Sequence, residues 1–241
     1  MAVVLDGLTY YEADAARADV DFPANVDSSL FAIWRDFDGN ARRIIAKQET
    51  DGGTDHGWRM NIASTRTQYD LDDGVDSESS FLAFGINLDV GTRCASWMFD
   101  RSGNLDGWVN GVKCNAERDI SGGVAQVYGN TFVETLGGQI PGAELITLDL
   151  LVACVWIGHL LTADEHAYLF NNGNHIWGSA FDVGSQYLRR YWDCRGVASG
   201  GGIRDWVAGV PMTAGAGTVA FEDDTTFFEH RRNSRLAGRL Q

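Results

Sequence analysis

The 241-residue sequence is poor in several things at once: it has 3 Pro, 4 Cys and, among 19 basic residues, only 2 Lys. Cys94, Cys114, Cys154 and Cys194 form no Cys-x-x-Cys and have no nearby Cys/His pairing, which excludes the usual zinc patterns. They read as buried free thiols, with a Cys94–Cys114 bridge across a hairpin as the alternative. The longest apolar run, residues 148–161, is broken by Asp149, Gly158 and His159, so no segment reads as a membrane-spanning helix. The opening Met1-Ala-Val-Val-Leu-Asp6 has no basic start and meets an acid too early for a secretory leader, so synthesis in the cytoplasm is expected. Positive charge is scarce too. The net charge of −14 argues against non-specific binding to nucleic acid or anionic membrane, because both reward cations.

What is present is 44% apolar residues, 29 Gly and an excess of Asp (24) over Glu (9). That composition suits a turn-rich globular β protein, since Asp and Gly favour turns. The charge is unevenly spread. Residues 1–229 hold 15 basic and 33 acidic side chains, about −18, whereas residues 230–241 carry Arg231, Arg232, Arg235 and Arg239 and no acid, +4.

Short β-type runs recur between Gly/Asp/Asn clusters, which predicts an all-β sandwich or barrel. Residues 30–37 alternate, turn at Asp38-Gly-Asn40 and return as 43–48, which reads as a hairpin. Residues 93–99 and 107–113 flank Asp100-Arg-Ser-Gly-Asn-Leu105 as a second hairpin, and residues 126–128 and 150–157 add strands. Thr162-Ala-Asp-Glu165 is a capping box that opens a short helix through Phe170, closed by Asn171-Asn-Gly173.

The sequence Asp100-Arg-Ser-Gly-Asn-Leu-Asp-Gly-Trp-Val-Asn-Gly111, followed by Trp156-Ile-Gly-His-Leu-Leu-Thr-Ala-Asp-Glu-His-Ala-Tyr-Leu-Phe-Asn-Asn-Gly173, resembles the hairpin and the closing strand and helix of laminin-G-like domains in the concanavalin A-like lectin/glucanase superfamily. The resemblance covers residues 28–173. It implies a two-sheet antiparallel jelly roll with one short helix, and residues 1–27 are expected to supply its terminal strands. On this division residues 1–173 form the jelly-roll domain, and residues 174–241 add further strands and a basic arm. Similar extensions follow such domains in bacteriophage structural proteins. The resemblance therefore implies a non-catalytic virion component (head decoration, tail or fibre) whose partners are other virion proteins, copies of itself or a host surface glycan.

Candidate sites follow from local chemistry. Asp70-Leu-Asp-Asp-Gly-Val-Asp76 sets Asp70, Asp72, Asp73 and Asp76 around a glycine, as calcium loops do, although it lacks the downstream bidentate Glu. Trp58, beside Asp55 and His56 in the loop of residues 51–56, is the candidate platform for a sugar. Arg231, Arg232, Arg235 and Arg239 are the candidate subunit-docking arm. Two other readings stay open: a stand-alone calcium-assisted carbohydrate-binding lectin, and a glycan hydrolase. The hydrolase reading is weakened because no Glu-x-Asp-x-(x)-Glu string occurs; Glu222-Asp-Asp is the nearest and lacks the final Glu. No enzymatic role is expected.

Overall fold

The computed structural model describes residues 2–7, 10–48, 56–74, 77–114, 117–123, 125–138, 145–176, 178–195, 202–216 and 220–222. They form a two-sheet antiparallel sandwich with one α-helix. The first sheet contains β1 (Ala2–Asp6), β3 (Ser28–Arg35), β8 (Arg93–Asp100), β9 (Asn104–Val109), β10 (Val112–Lys113), β11 (Arg118–Asp119), β13 (Thr147–Ile157), β14 (Leu188–Asp193) and β17 (Ala220–Glu222). The second contains β2 (Tyr10–Ala13), β4 (Arg42–Gln48), β5 (His56–Ala63), β6 (Arg66–Asp73), β7 (Ser77–Ala83), β12 (Thr135–Leu136), β15 (Ile203–Arg204) and β16 (Pro211–Ala216).

The burial pattern explains two kinds of strand sequence. β3 and β13 are apolar almost throughout because they are covered twice. One face meets the second sheet through Leu30, Trp34 and Leu150, and the other meets a separate cluster containing Phe31, Cys154 and Trp156. The covering layer is helix α1 (Ala163–Phe170) with the segment after it, whose Leu169, Ala180 and Val183 close that cluster. β5 instead alternates: Trp58, Met60 and Ile62 face the core, and Arg59 and Asn61 face away. α1 starts at its capping box, with Thr162 Oγ1 accepting from the Glu165 N–H at 3.3 Å and Glu165 accepting from the Thr162 N–H at 2.9 Å. It ends at Asn171 in a left-handed conformation.

Two strand expectations need correcting. Residues 30–37 and 43–48 do not form a hairpin, because β3 and β4 belong to different sheets and the Asp38-Gly-Asn turn carries the chain between them. Tyr128 makes a single bridge to Phe22 rather than a strand. The four cysteines are buried and free, with no Cys94–Cys114 bridge. The described strands beyond residue 173 are built into both sheets: β14 pairs with the far half of β13, β16 with β2, and β17 with β1.

One glycine is dictated by its surroundings. Gly57 has φ +113°, and a Cβ there would lie 2.0 Å from the Lys47 carbonyl oxygen.

The sandwich edge is closed by a buried charge cluster. Arg190 on β14 has no exposed surface; it forms a bidentate pair with Asp19 (2.8 and 2.9 Å) and reaches Glu134 at 2.6 Å and Asp205 at 3.6 Å. Asp205 also accepts the backbone N–H groups of Tyr191, Val207 and Ala208. Burial pushes the Glu134 and Asp205 carboxyls above their ordinary range. Burial works against the Asp19 carboxylate as well, but its hydrogen bonds to Arg190 prevail and hold it below the usual value. Replacing Arg190 by Met therefore strands buried carboxylates without their cation. The expected cost is about 3–5 kcal/mol, read as a lower urea midpoint; an unchanged midpoint would show that the cluster contributes nothing to the fold.

Candidate functional site

The β8–β9 hairpin turns through Arg101-Ser-Gly103 and pairs Met98 with Asp106 and Asp100 with Asn104. Strand alternation puts Cys94, Ser96, Met98 and Asp100 on one face of β8, with Trp108, Asp106 and Asn104 beside them on β9. This is the outer face of the first sheet, where α1 docks. The helix covers only part of it, and at its N-terminal end a cleft of about 220 Å³ remains. Met98, Asp100, Asp106 and Trp108 line one side, Glu117 the rim, and residues 160–163 the helix side.

The cleft is acidic with an aromatic floor. Asp106 accepts from the Gly107 N–H (2.8 Å), the Cys114 thiol (3.0 Å) and Lys113 (2.8 Å), and Lys113 also pairs with Glu117 at 2.8 Å. Asp100 caps the hairpin by accepting the Ser102 N–H at 2.8 Å. These neighbours hold Lys113 protonated beyond its ordinary range, chiefly through the hydrogen bond to Asp106. Burial and the Asp106 carboxylate push the Cys114 thiol up to about 11, so it stays protonated. Asp106 and Glu117 thus share one cation, with Asp100 nearby and the half-buried ring of Trp108 beside them.

Behind the cleft lies a sealed Cys–His–Ser cluster. His166 Nε2 accepts from the Gly111 N–H at 3.2 Å and sits 3.4 Å from Cys94 Sγ. A ring nitrogen that accepts carries no proton, which assigns the proton to Nδ1, donated to Ser96 Oγ at 2.9 Å. Burial holds His166 neutral, its pKa lowered to about 4, and raises the Cys94 thiol well above its usual value. A protonated thiol with no exposed surface is not a nucleophile. The cluster fastens α1 to the sheet.

The residues singled out in the sequence do not come together. Trp58 is a core residue: it has no exposed surface, stacks on Phe22 at 5.0 Å and donates Nε1–H to the Val20 carbonyl, so no ring face is open to a sugar. His56 packs its ring against the backbone of Gly74, and Asp55 lies outside the described residues. The acidic run is a strand and not a loop: Asp70, Asp72 and Asp73 belong to β6, where alternation puts Asp73 on the opposite face from the other two. Asp70 pairs with Arg59 at 2.5 Å, Asp72 accepts the Gly74 N–H at 2.6 Å, and Asp76 lies outside the described residues. Among the described residues no three His, Cys, Asp or Glu converge as a metal site. Arg231, Arg232, Arg235 and Arg239 also lie outside them. On the outer face of the second sheet, Arg43, Gln48, Asn61 and Asp70 are each at most 8% exposed.

Sequence reading missed the cleft because its residues come from three separate segments. The one local signal was the alternation Asn104-Leu-Asp-Gly-Trp108, which sets two polar groups and an aromatic on the same strand face.

The two antiparallel sheets and single short helix define a jelly-roll sandwich. The chain is similar to the native heptameric SAP-like pentraxin from Limulus polyphemus, with 12% identity over 69% of this chain and 80% of that one, TM-score 0.52. It is also similar to the botulinum neurotoxin serotype G binding domain (16% identity, 66% of this chain, 40% of that one, TM-score 0.48) and to the Ruminococcus gnavus IT-sialidase CBM40 (14%, 64% and 90%, TM-score 0.48). At these identities the likeness is one of fold. No family model and no curated protein matches the chain.

The buried histidines set an acid limit on stability. His166 and His175 both have pKa values lowered to about 4, by burial in each case and for His175 also by the nearby Arg195 charge, with Asp193 opposing. Between their ordinary value near 6.5 and about 4 the unfolded chain binds protons that the folded chain refuses, so stability falls as pH falls through that window. Each histidine accounts for roughly 3 kcal/mol at most, and the raised carboxyls of Glu134 and Asp205 offset part of the loss. Urea unfolding at pH 7 and pH 4.5 is expected to show the drop, and His166→Gln should reduce it, leaving the share of His175.

Proposed function

We propose that the chain is a non-catalytic interaction protein that presents a lectin-like jelly roll for protein or glycan contacts. The observation that carries this reading is the state of the cleft's acids. Asp106 accepts from three donors, Asp100 is occupied by the hairpin turn, and Glu117 shares Lys113 with Asp106. Retaining or inverting sugar hydrolysis needs one carboxyl that delivers a proton and one free to attack or to activate water. Acids committed to ion pairs and turns are suited to recognition instead, next to an aromatic face.

At a finer level the reading is a virion component of the phage type, with copies of itself or other virion proteins as partners and a host glycan as a possible ligand. Its support is the resemblance of residues 28–173 to domains that carry similar extensions in phage structural proteins, together with the +4 charge of residues 230–241 against an acidic body. A calcium-assisted lectin remains the second reading.

The test pairs a glycan array, run with and without chelator, with a reducing-end assay on a polysaccharide panel. Expected are no released ends, and any array signal indifferent to chelator. Product release that disappears on Asp100→Asn or Glu117→Gln would overturn the non-catalytic reading; signal lost with chelator would favour the calcium-assisted lectin.

A further inference from the structure

Two arginines converge on one exposed ring where the sheets come close at an edge of the sandwich. β7 is the last strand of the second sheet, and β11 pairs with β9 near the end of the first. Arg118 on β11 crosses the gap. Its Nε–H donates to the Phe81 carbonyl at 2.9 Å, and its guanidinium carbon lies over the Phe81 ring, 5.1 Å from the centroid. On β6, Thr67 and Tyr69 are buried, so alternation turns Arg66 and Gln68 outward, onto the face that carries Phe81. Gln68 is the register partner of Phe81, and Arg66, on the diagonal, places its guanidinium carbon over the same ring at 4.7 Å.

Tying the two edges together needs one arginine, and the second adds a like charge. Both guanidinium carbons lie within 5.1 Å of one centroid, so they are at most about 10 Å apart and repel across that distance. The chain does not relieve this. Neither Arg66 nor Arg118 forms an ion pair among the described residues, although residues 1–229 carry about −18. Arg35, Arg190 and Arg195 by contrast each hold a carboxylate. The acids adjacent along the same strands are committed elsewhere: Asp70 to Arg59, Glu117 to Lys113, and Asp119 to the Ser121 N–H at 2.8 Å. Phe81 is 40% exposed, so the pair is open to solvent.

Arg118 spends its Nε–H on the Phe81 carbonyl and keeps both terminal NH2 groups, while Arg66 spends no N–H on a described residue. Forked donors of this kind accept an oxyanion, a carboxylate or a sulfate. The surroundings select what carries it. Nucleic acid has a charge on every unit and would press most of them against an acidic body. A polysaccharide with acid groups on only some of its sugars places charge at the arginines and hydroxyls elsewhere, where the Gln68 amide can meet them. Resting on the reading of this chain as a protein that presents a jelly roll for glycan contacts, we propose that Arg66, Arg118 and Gln68 around Phe81 bind an acidic glycan. The site lies on the second sheet's edge and is separate from the Trp108 cleft.

The test is titration calorimetry on the full chain in about 50 mM salt. Two octasaccharide probes separate the acid groups: hyaluronan, which carries carboxylates, and keratan sulfate, which carries sulfates; neutral maltooctaose is the control. At least one acidic probe is expected to bind, more weakly at about 300 mM salt, and the neutral one is not. Arg66→Gln and Arg118→Gln should each weaken binding about tenfold, with near-ultraviolet circular dichroism unchanged for the exposed Arg66. Arg189→Gln removes the same charge from β14 in the other sheet and should leave binding unaltered. Four results overturn the proposal: neither acidic probe binding at about 1 mM, Arg66→Gln binding like the unaltered chain, Arg189→Gln weakening it equally, or a phosphopeptide or oligothymidylate binding more tightly than both acidic probes. Binding of maltooctaose alone would also overturn this site while leaving the interaction-protein reading, which falls only to polysaccharide cleavage.

Discussion

The arrangement depends most on a single buried cation. Arg190 gathers carboxylates from residues 19, 134 and 205, positions spread over most of the chain. Asp19 precedes β3 in the first sheet, Glu134 leads into β12 in the second, and Asp205 follows β15 at that sheet's end. A hydrophobic side chain at position 190 would fill the volume but would accept many arrangements of its neighbours. A guanidinium with directional donors accepts few, so the point where the two sheets meet has one geometry. The same region carries Lys47, also without exposed surface, which donates to the Asp21 carboxylate and to the Asn130 carbonyl at 2.9 Å. An acidic protein with few cations thus buries several of them where segments distant in sequence must converge.

Much of the fold was legible because the signals were local. The capping box at Thr162 and Glu165, the left-handed stop at Asn171 and the hairpin around Gly103 each need only a few neighbouring residues to be recognised. What misled was long-range. Residues 30–48 have the pattern of a hairpin, and only pairing with β8 and β13 on one side and with β5 on the other assigns the two strands to different sheets. The acidic run at Asp70 looked like a loop because a strand this rich in Asp is unusual; a partner such as Arg59 on the adjacent strand makes it tolerable. The tryptophans divide in the same way. Trp58 stands next to a polar loop in sequence, yet its own strand turns it inward, whereas Trp108, in an apparently ordinary hairpin, is the one at the mouth of a cleft.

The helical layer has two roles on one sheet face. Over β3 and β13 it seals apolar side chains, which is why those strands have no polar alternation to read. Over β8 and β9 it stops short, and the cleft is the uncovered remainder. The Cys94–His166–Ser96 contact lies behind that remainder and fastens the helix to the sheet through neutral hydrogen bonds. That contact does not depend on salt, whereas the pairs of Lys113 with Asp106 and Glu117 at the cleft do.

The position of β1 has a consequence for how the chain is made. Residues 2–6 are inserted between β13 and β17, so β1 has neither neighbour until at least residue 147 has left the ribosome. At 5–20 residues per second that is about 7–30 s. During that interval an apolar strand waits unpaired, open to pairing with other nascent chains.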